Sequence, residues 1–357
     1  MQDIFELART GAATPAELGY YFPAEFAPQE SMWLSWPHKE ASWPDKIETI
    51  YSPYCLFIKE VAKGQRVNIN VADEVMKAFA LAHLETAGVN LDQIRFYFFP
   101  TNDAWCRDHG PAFLINPTAE VKKVIVKWNY NAWGEKYPPH DLDNQIPIKI
   151  AAELGIPCFK PGMVMEGGSV EFNGKGTLLT SEACLLNENR NPHLNQAQIE
   201  RYLQDFYGVN HILWVGDGIV GDDTDGHIDD ITRFVNEDTV VTVVEENKSD
   251  ENHHLLQENL DRLKKMRLED GKQMNVVELP MPSPVIYDDQ RLPASYANFY
   301  IANESVIVPT FRDKNDQKAL DILTDCFPNR RIVGIDSTDI IWGLGSFHCL
   351  SQQEPAV

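Results

Sequence analysis

The chain has 357 residues, 43% of them hydrophobic. It is long enough to bury a sizeable core and too long for one core of ordinary design, so it holds either two domains or one large repetitive architecture. With 53 Asp and Glu against 31 Lys and Arg, the formal net charge is -22. That balance excludes nucleic acid and anionic membranes as partners and leaves two readings, solubility or attraction of a cationic substrate.

No apolar run reaches the roughly 18 residues of a membrane span, and residues 1–19 carry neither a basic n-region nor an apolar h-region. The expected compartment is the cytoplasm. The six cysteines (Cys55, Cys106, Cys158, Cys184, Cys326, Cys349) include no Cys-x-x-Cys pair. Neither a disulfide framework nor a zinc site is expected, and no cofactor. The sequence leaves self-association open.

Residues 1–30, with Pro15, Pro23 and Pro28, read as an irregular lead-in. Residues 31–37 read as a short strand whose Trp33 and Trp36 serve the core or a pocket wall. Residues 46–63 are helix-like, with Pro53 expected to break or kink them. Residues 66–72 alternate and are β-branched, which predicts a strand.

From there one pattern recurs: helix, strand, polar loop, hairpin. It runs as helix 74–88, strand 94–99, loop 101–110 and hairpin 112–128. It returns with helices at 144–154, 195–207, 251–268 and 315–326. The strands that follow these helices fall near 157–159, 211–215, 275–279 and 331–335. Hairpins turn at Asn116, Asn173, Asn236 and Asn303, spaced by about 57, 63 and 67 residues. Such a period predicts repeats. The reading is an α/β protein of five βαββ-type units (66–128, 144–180, 195–244, 251–310 and 315–350) about a pseudo-fivefold axis. The whole chain, 1–357, would form one catalytic α/β propeller domain, with strand 31–36 closing the last unit. The alternative is a plain two-domain α/β protein with chance regularity.

The loops ahead of the hairpins hold the chemistry. Loop one offers Asn102, Asp103, Trp105, Arg107 and Asp108. Loop two offers Glu166-Gly167-Gly168, and loop three Asp222, Asp223, Asp225, His227 and Asp229. Loop four offers Asp288, Asp289 and Arg291, and loop five leads to His348 and Cys349. A cysteine, a histidine and two opposed carboxylates suit a flat, delocalised cation. Carboxylates grip the guanidinium fork, a thiolate adds to its carbon, and the histidine moves protons.

His227 and Asp229 share a face if their segment is extended. A structural histidine and a His-x-Asp metal pair are the competing readings, the latter lacking a clear further ligand set. Cys106, beside Arg107, is a rival nucleophile. If its segment is strand-like it shares the side of Asp108 and becomes pocket wall. By the same alternation His348 points away from Cys349. Residues 280–297 are a candidate lid.

With those residues in view, the chain resembles the agmatine deiminase family. That family is sister to the Porphyromonas-type peptidylarginine deiminases within the guanidino-group-modifying superfamily. The resemblance begins at Trp33-Leu34-Ser35-Trp36-Pro37 and covers nearly the whole chain. It passes through Thr101-Asn102-Asp103-Ala104-Trp105-Cys106-Arg107-Asp108, Asn131-Ala132-Trp133-Gly134 and Glu166-Gly167-Gly168. It continues with Thr224-Asp225-Gly226-His227-Ile228-Asp229, Leu292-Pro293-Ala294-Ser295-Tyr296-Ala297-Asn298-Phe299-Tyr300 and His348-Cys349-Leu350-Ser351-Gln352-Gln353. It implies a five-bladed α/β propeller and a cysteine hydrolase without metal. Such an enzyme converts agmatine to N-carbamoylputrescine and ammonia through an amidino-thioether, a step of putrescine and polyamine metabolism.

Under that resemblance Cys349 is the nucleophile, His227 the general acid and base, and Asp108 and Asp229 the guanidinium ligands. Glu166 orients His227, Trp105 flanks the substrate, and Asp223 meets a distal amine. Asp103 joins the substrate-binding residues. The partner is then a small cationic guanidine. Peptidylarginine, another small guanidine, or a silent cation-binding propeller are the alternatives. The family approaches its cysteine through Gly-Gly-Gly-Asn-Ile-His-Cys. Here Leu344 replaces a glycine and Ser346 the asparagine, which bears on substrate choice more than on chemistry.

Overall fold

A computed structural model describes residues 3–357. It is an α/β structure whose strands form separate small sheets and not one closed sheet. Four of the sheets share one plan, an antiparallel hairpin followed by a strand parallel to the hairpin's second arm. They are Ala112–Ile115 with Lys123–Val126 and Cys158–Phe159, and Val170–Phe172 with Thr177–Ser181 and His211–Val215. The other two are Thr232–Phe234 with Thr239–Val244 and Asn275–Pro280, and Tyr300–Ile301 with Ser305–Thr310 and Arg331–Asp336. In each, a helix bridges the two parallel strands, as a crossover requires. These helices are Ile146–Leu154, Gln196–Tyr207, Asn252–Leu263 and Asp316–Cys326.

The fifth sheet repeats the plan with the two ends of the chain. Ser351–Pro355 pairs antiparallel with Gln29–Ser35, placing Leu34 opposite Ser351. Helix Ile47–Val61 then leads to the parallel strand Arg66–Asn70, and helix Glu74–Ala87 to a fourth strand, Ile94–Tyr97. The hydrogen-bonded unit therefore joins each hairpin to the strand beyond the next helix. It is offset by one element from the repeat as read along the chain.

Local chemistry explains the turns. Asn116, Asn173 and Asn236 each accept, through Oδ1, the backbone N–H two residues on, at 3.0, 2.9 and 3.0 Å. Side chains that mimic a backbone turn in this way set the hairpins. Asn303 does something else: it donates to the Gln29 and Gly64 carbonyls and accepts from Gln29 N–H, tying two sheets together. Strand interiors such as Val240, Val241 and Val243 are fully buried, as expected for parallel strands covered by helices.

Three expectations change. Residues Ile4–Thr10 form a helix where a lead-in was expected, because Asp3 caps it by accepting Phe5 N–H and Gly11 ends it at φ 68°. Helix Ile47–Val61 runs through Pro53 unbroken; its buried face has Ile50 and Tyr51 before the proline and Tyr54, Phe57 and Ile58 after it. Loop one contains a short helix, Cys106–His109. Among the described residues no helix is long and apolar enough to cross a membrane.

Candidate active site

The central candidates sit just ahead of a strand in four of the sheets. Asp108 precedes Ala112–Ile115, Glu166-Gly167-Gly168 precedes Val170–Phe172, His227 and Asp229 precede Thr232–Phe234, and Cys349 precedes Ser351–Pro355. A cavity of about 250 Å³ reaches Asp108 and Cys349, with Trp105, Trp133, Asp223 and Leu344 also in its wall; Glu166, His227 and Asp229 do not line it. Asp103 also lines it, bonded to Ser42 at 2.6 Å and paired with Lys39 at 3.2 Å.

Cys349 Sγ lies 3.6 Å from Asp229 Oδ2. Asp229 Oδ1 is buried with no hydrogen-bond partner. Asp108 is held from two sides: Gly168 N–H donates to Oδ1 at 3.0 Å and the Trp133 indole N–H to Oδ2 at 3.0 Å. A side chain at Gly168 would meet His227, Asp108 and Asp229 at 2.5, 2.9 and 3.1 Å, so glycine is what lets these three groups meet. Trp133 reaches its place through a left-handed stretch, Ala132 to Glu135, all with φ between 50° and 86°. Backbone strain of this kind collects at functional sites.

His227 is fully buried, its Nδ1 3.7 Å from Asp108 and 4.0 Å from Asp229 Oδ1, and both ring nitrogens lack a hydrogen bond. Burial favours the neutral ring, but Asp108 above all, with Cys184 and Asp229, carries its pKa well above the usual histidine value. Burial pushes the Asp108 carboxyl up to about 6, against the pull of His227, with Asp229 and Glu166 adding to the rise. Burial also pushes Asp229 up, but the bond and charge of His348, and the charge of His227, outweigh it and hold it below the ordinary value. The Cys349 thiol is lifted well above the usual thiol value by burial first, then by Asp229, Asp230 and Asp108.

Glu166 stands beside His227 but does not bond it. A carboxylate oxygen lies within 4.8 Å of a ring nitrogen and of the Cys184 sulfur, and Oε1 accepts from Arg190 at 2.7 Å. Two groups have metal-ligand spacing among the described residues: Glu166, Cys184 and His227, and Asp229, Asp230 and Cys349. Each includes the histidine or the cysteine that faces the carboxylates. Asp223 accepts the Tyr137 hydroxyl and lines the far part of the cavity; burial raises its pKa.

Several sequence expectations meet a different geometry. His348 does not turn away, because residues 347–350 form a turn and not a strand. Its Nδ1 is 2.6 Å from Asp229 Oδ2 and its Nε2 2.7 Å from Glu25 Oε2. Cys106 is not pocket wall. The helix Cys106–His109 turns it into the packing around Trp33 and Phe113, where burial lifts its thiol to about 12. Arg107 points to the back of the site, pairing with Glu25 at 3.1 Å.

The remaining loop residues are mostly structural. Asp222 accepts backbone N–H groups of its own turn. Asp225 pairs with Arg190 and Lys136. Asn102 accepts the Leu142 and Asp143 N–H groups. Asp288 and Asp289 turn the small hairpin Ile286–Tyr287 to Gln290–Arg291, and Arg291 pairs with Asp250.

Sequence reasoning turned His348 away from the site, gave Trp133 no role and missed Glu25. His348 and Trp133 both stood in quoted motifs; Glu25 had no such signal. Leu344 adopts φ 70°, a left-handed conformation that suits glycine, and it lines the cavity. Trp105 stacks on Trp43 at 5.1 Å. Side chains at Gly343 or Gly345 would strike Trp105 at 2.9 or 2.6 Å.

The family described as Porphyromonas-type peptidyl-arginine deiminase matches residues 21–355. A putative agmatine deiminase of Legionella pneumophila subsp. pneumophila strain Philadelphia 1 is 36% identical over 345 residues, 96% of each chain. An agmatine deiminase of Pseudomonas syringae pv. tomato is 34% identical over 369 residues, 96% of this chain and 98% of the other. Among solved structures, an agmatine deiminase of Enterococcus faecalis superposes with a TM-score of 0.90 at 33% identity, covering 96% of this chain and 98% of that one. An amidinotransferase from Microseira wollei, 13% identical with a TM-score of 0.51, shares the fold.

Proposed function

The chain belongs to the Porphyromonas-type peptidyl-arginine deiminase family, and from that premise we propose that it is an agmatine deiminase. It would be a hydrolase that converts the guanidino group of agmatine to a ureido group and releases ammonia. The relatives named as agmatine deiminases match nearly end to end. The observation that carries the chemistry is unspent bonding capacity beside Cys349: Asp229 Oδ1 and both nitrogens of His227 are buried without partners.

In this reading Asp108 and Asp229 grip the guanidinium, whose fork satisfies carboxylates from two sides. The cation also offsets the carboxylates that lift the Cys349 thiol, so the thiol sheds its proton to solvent when substrate arrives. The thiolate adds to the guanidinium carbon. The His227 imidazolium protonates one nitrogen, which leaves as ammonia, and an amidino-thioether remains. Neutral His227 then takes a proton from water, and the hydroxide adds to the same carbon. The adduct collapses to N-carbamoylputrescine and frees Cys349. Glu166, fixed by Arg190, supports the charge on His227 from behind. Trp105 flanks the aliphatic chain, Asp223 takes the distal ammonium, and Asp103 shapes the mouth.

The five sheets are read as blades of one propeller domain, with the catalytic loops converging on its axis and no metal or cofactor in the chemistry. The substrate is a small free cation met in the cytoplasm. Incubation with agmatine, arginine and arginyl peptides, with ammonia and ureido product measured, tests the reading. Turnover of agmatine is expected; preference for the peptides would move the assignment to peptidylarginine, and no product from any of them would sink the enzyme.

A further inference from the structure

Cys349 Sγ has carboxylates around it and, among the described residues, one hydrogen-bond donor. The carboxylates are Asp108 on the helix Cys106–His109 and Asp229 and Asp230 on the turn Ile228–Asp230. His348 adjoins in sequence and is bonded to Asp229. His227 faces Asp108 and Asp229. The donor is the side-chain amide of Asn298, whose Nδ2 is 3.0 Å from Sγ.

The amide has no freedom to be anything but a donor there. Its Oδ1 accepts the backbone N–H groups of His348 at 3.1 Å and Cys349 at 3.3 Å. Its Nδ2 also donates to Asp230 Oδ1 at 2.9 Å. The flipped amide would set NH₂ against two N–H donors and oxygen against a carboxylate, so the network assigns the orientation. Asn298 is 1% exposed and Asp230 2%.

The repeat places these residues in register. Asn298 stands two positions before Tyr300–Ile301, Asp230 two before Thr232–Phe234 and Cys349 two before Ser351–Pro355. Asn298 is thus the contribution of the unit whose loop acids, Asp288 and Asp289, lie in a separate hairpin.

We propose that Asn298 is a further catalytic residue, donating a hydrogen bond to the Cys349 sulfur and stabilising the thiolate, with Asp230 fixing the amide in place. The inference deepens the reading of Cys349 as nucleophile and rests on it. A hydrogen bond to a sulfur anion is worth more than one to a neutral thiol, so it favours ionisation, and it does so most at an anion with no other donor.

The test has two readouts on purified full-length protein. The first is agmatine turnover by Asn298→Ala. The expected result is a loss of about tenfold to a hundredfold in kcat with KM within about threefold, because Asn298 touches sulfur and not substrate. The second is the pH dependence of iodoacetamide alkylation at Cys349, read by mass mapping of its peptide. Its midpoint should rise by about one unit or more in Asn298→Ala, which is a tenfold smaller thiolate fraction at a given pH.

Asn298→Asp keeps both acceptor bonds to the His348 and Cys349 N–H groups and loses the donor. It reports the same shift, larger in size, if the alanine variant does not fold. An unchanged alkylation midpoint in a folded variant, whatever its melting temperature, overturns the proposal, since a purely structural amide would not move it. Should the wild type fail to turn over agmatine, the substrate reading falls while the alkylation comparison still decides the role of Asn298.

Discussion

Asp229 stands on a boundary. Its Oδ2 is bonded to His348 and lies 3.6 Å from Cys349 Sγ, while Oδ1 faces His227 with no partner. Behind the boundary, charges are matched. Glu25 takes His348, Arg107 and Arg233, and Arg233 also pairs with Glu171 at 3.0 Å. In front, Asp108, Asp229, His227 and Cys349 leave carboxylate, imidazole and thiol atoms close together with little between them. A buried polar group without a partner costs stability. The difference separates a network that is already bonded from one that keeps capacity in reserve: the rear groups hold Asp229 through His348, and the front leaves the atoms that the proposed guanidinium would satisfy.

The sharpest way to break the comparison is at the two cysteines. Cys349→Ser should lose agmatine turnover by about 10⁴-fold or more while unfolding like the wild type. Cys106→Ser, in the packing around Trp33, should keep kcat within about threefold. The reverse outcome in a turnover assay would move the nucleophile.

Next comes the rear. Glu25→Gln removes the anion shared by His348, Arg107 and Arg233, and breaking a buried ion network costs about 3 kcal/mol or more. A lower denaturant midpoint is expected, with a smaller effect on kcat than Cys349→Ser produces. An unchanged midpoint would deny that network its supporting role.

Titration sharpens the front. Asp108 must be ionised to hold a guanidinium, and its pKa stands at about 6, so kcat/KM should fall about tenfold per pH unit below that value. The stability effect runs the other way. A folded value raised above the ordinary 3.8 contributes stability that is present below pH 3.8 and lost as pH rises through about 6. Melting curves of ligand-free protein between pH 4 and 7 should therefore show a step that Asp108→Asn flattens. An identical pH profile in both proteins would remove Asp108 from this account.

The smallest expected effect is that of a chelator. The front groups with metal-ligand spacing include His227 and Cys349 themselves, so a metal would occupy the groups that substrate needs. EDTA should leave agmatine turnover unchanged. Inhibition reversed by added metal would place an ion in the chemistry.

What the sequence made legible follows the range of the interactions. Hairpins read well because Asn116, Asn173 and Asn236 act within two residues of themselves. The repeat order and the use of residues 31–36 to complete the last sheet followed from that period. Cys349, His227, Asp108 and Asp229 were marked by motif and by phase. What failed depended on partners far away in the chain or on a local assumption. His348 and Cys106 were placed by strand alternation, but a turn and a short helix stand there. Glu25 contacts His348 across 323 residues, and no pattern in its neighbourhood announces it. Asn298 lay inside a quoted motif, and its phase relative to Cys349 was the signal that went unread.

The strand pairing between Gln29–Ser35 and Ser351–Pro355 has a consequence for how the enzyme comes into being. Trp33 donates to Glu354, 321 residues further on, so this sheet cannot form until the ribosome has delivered nearly everything between. Pairings of such separation are slow steps in folding. Cys349 lies at the threshold of that last strand, two residues before Ser351. Synthesis thus delivers Asp108, Glu166, His227 and Asp229 long before the proposed nucleophile, and the surroundings of Cys349 are complete only when the two ends of the chain have paired.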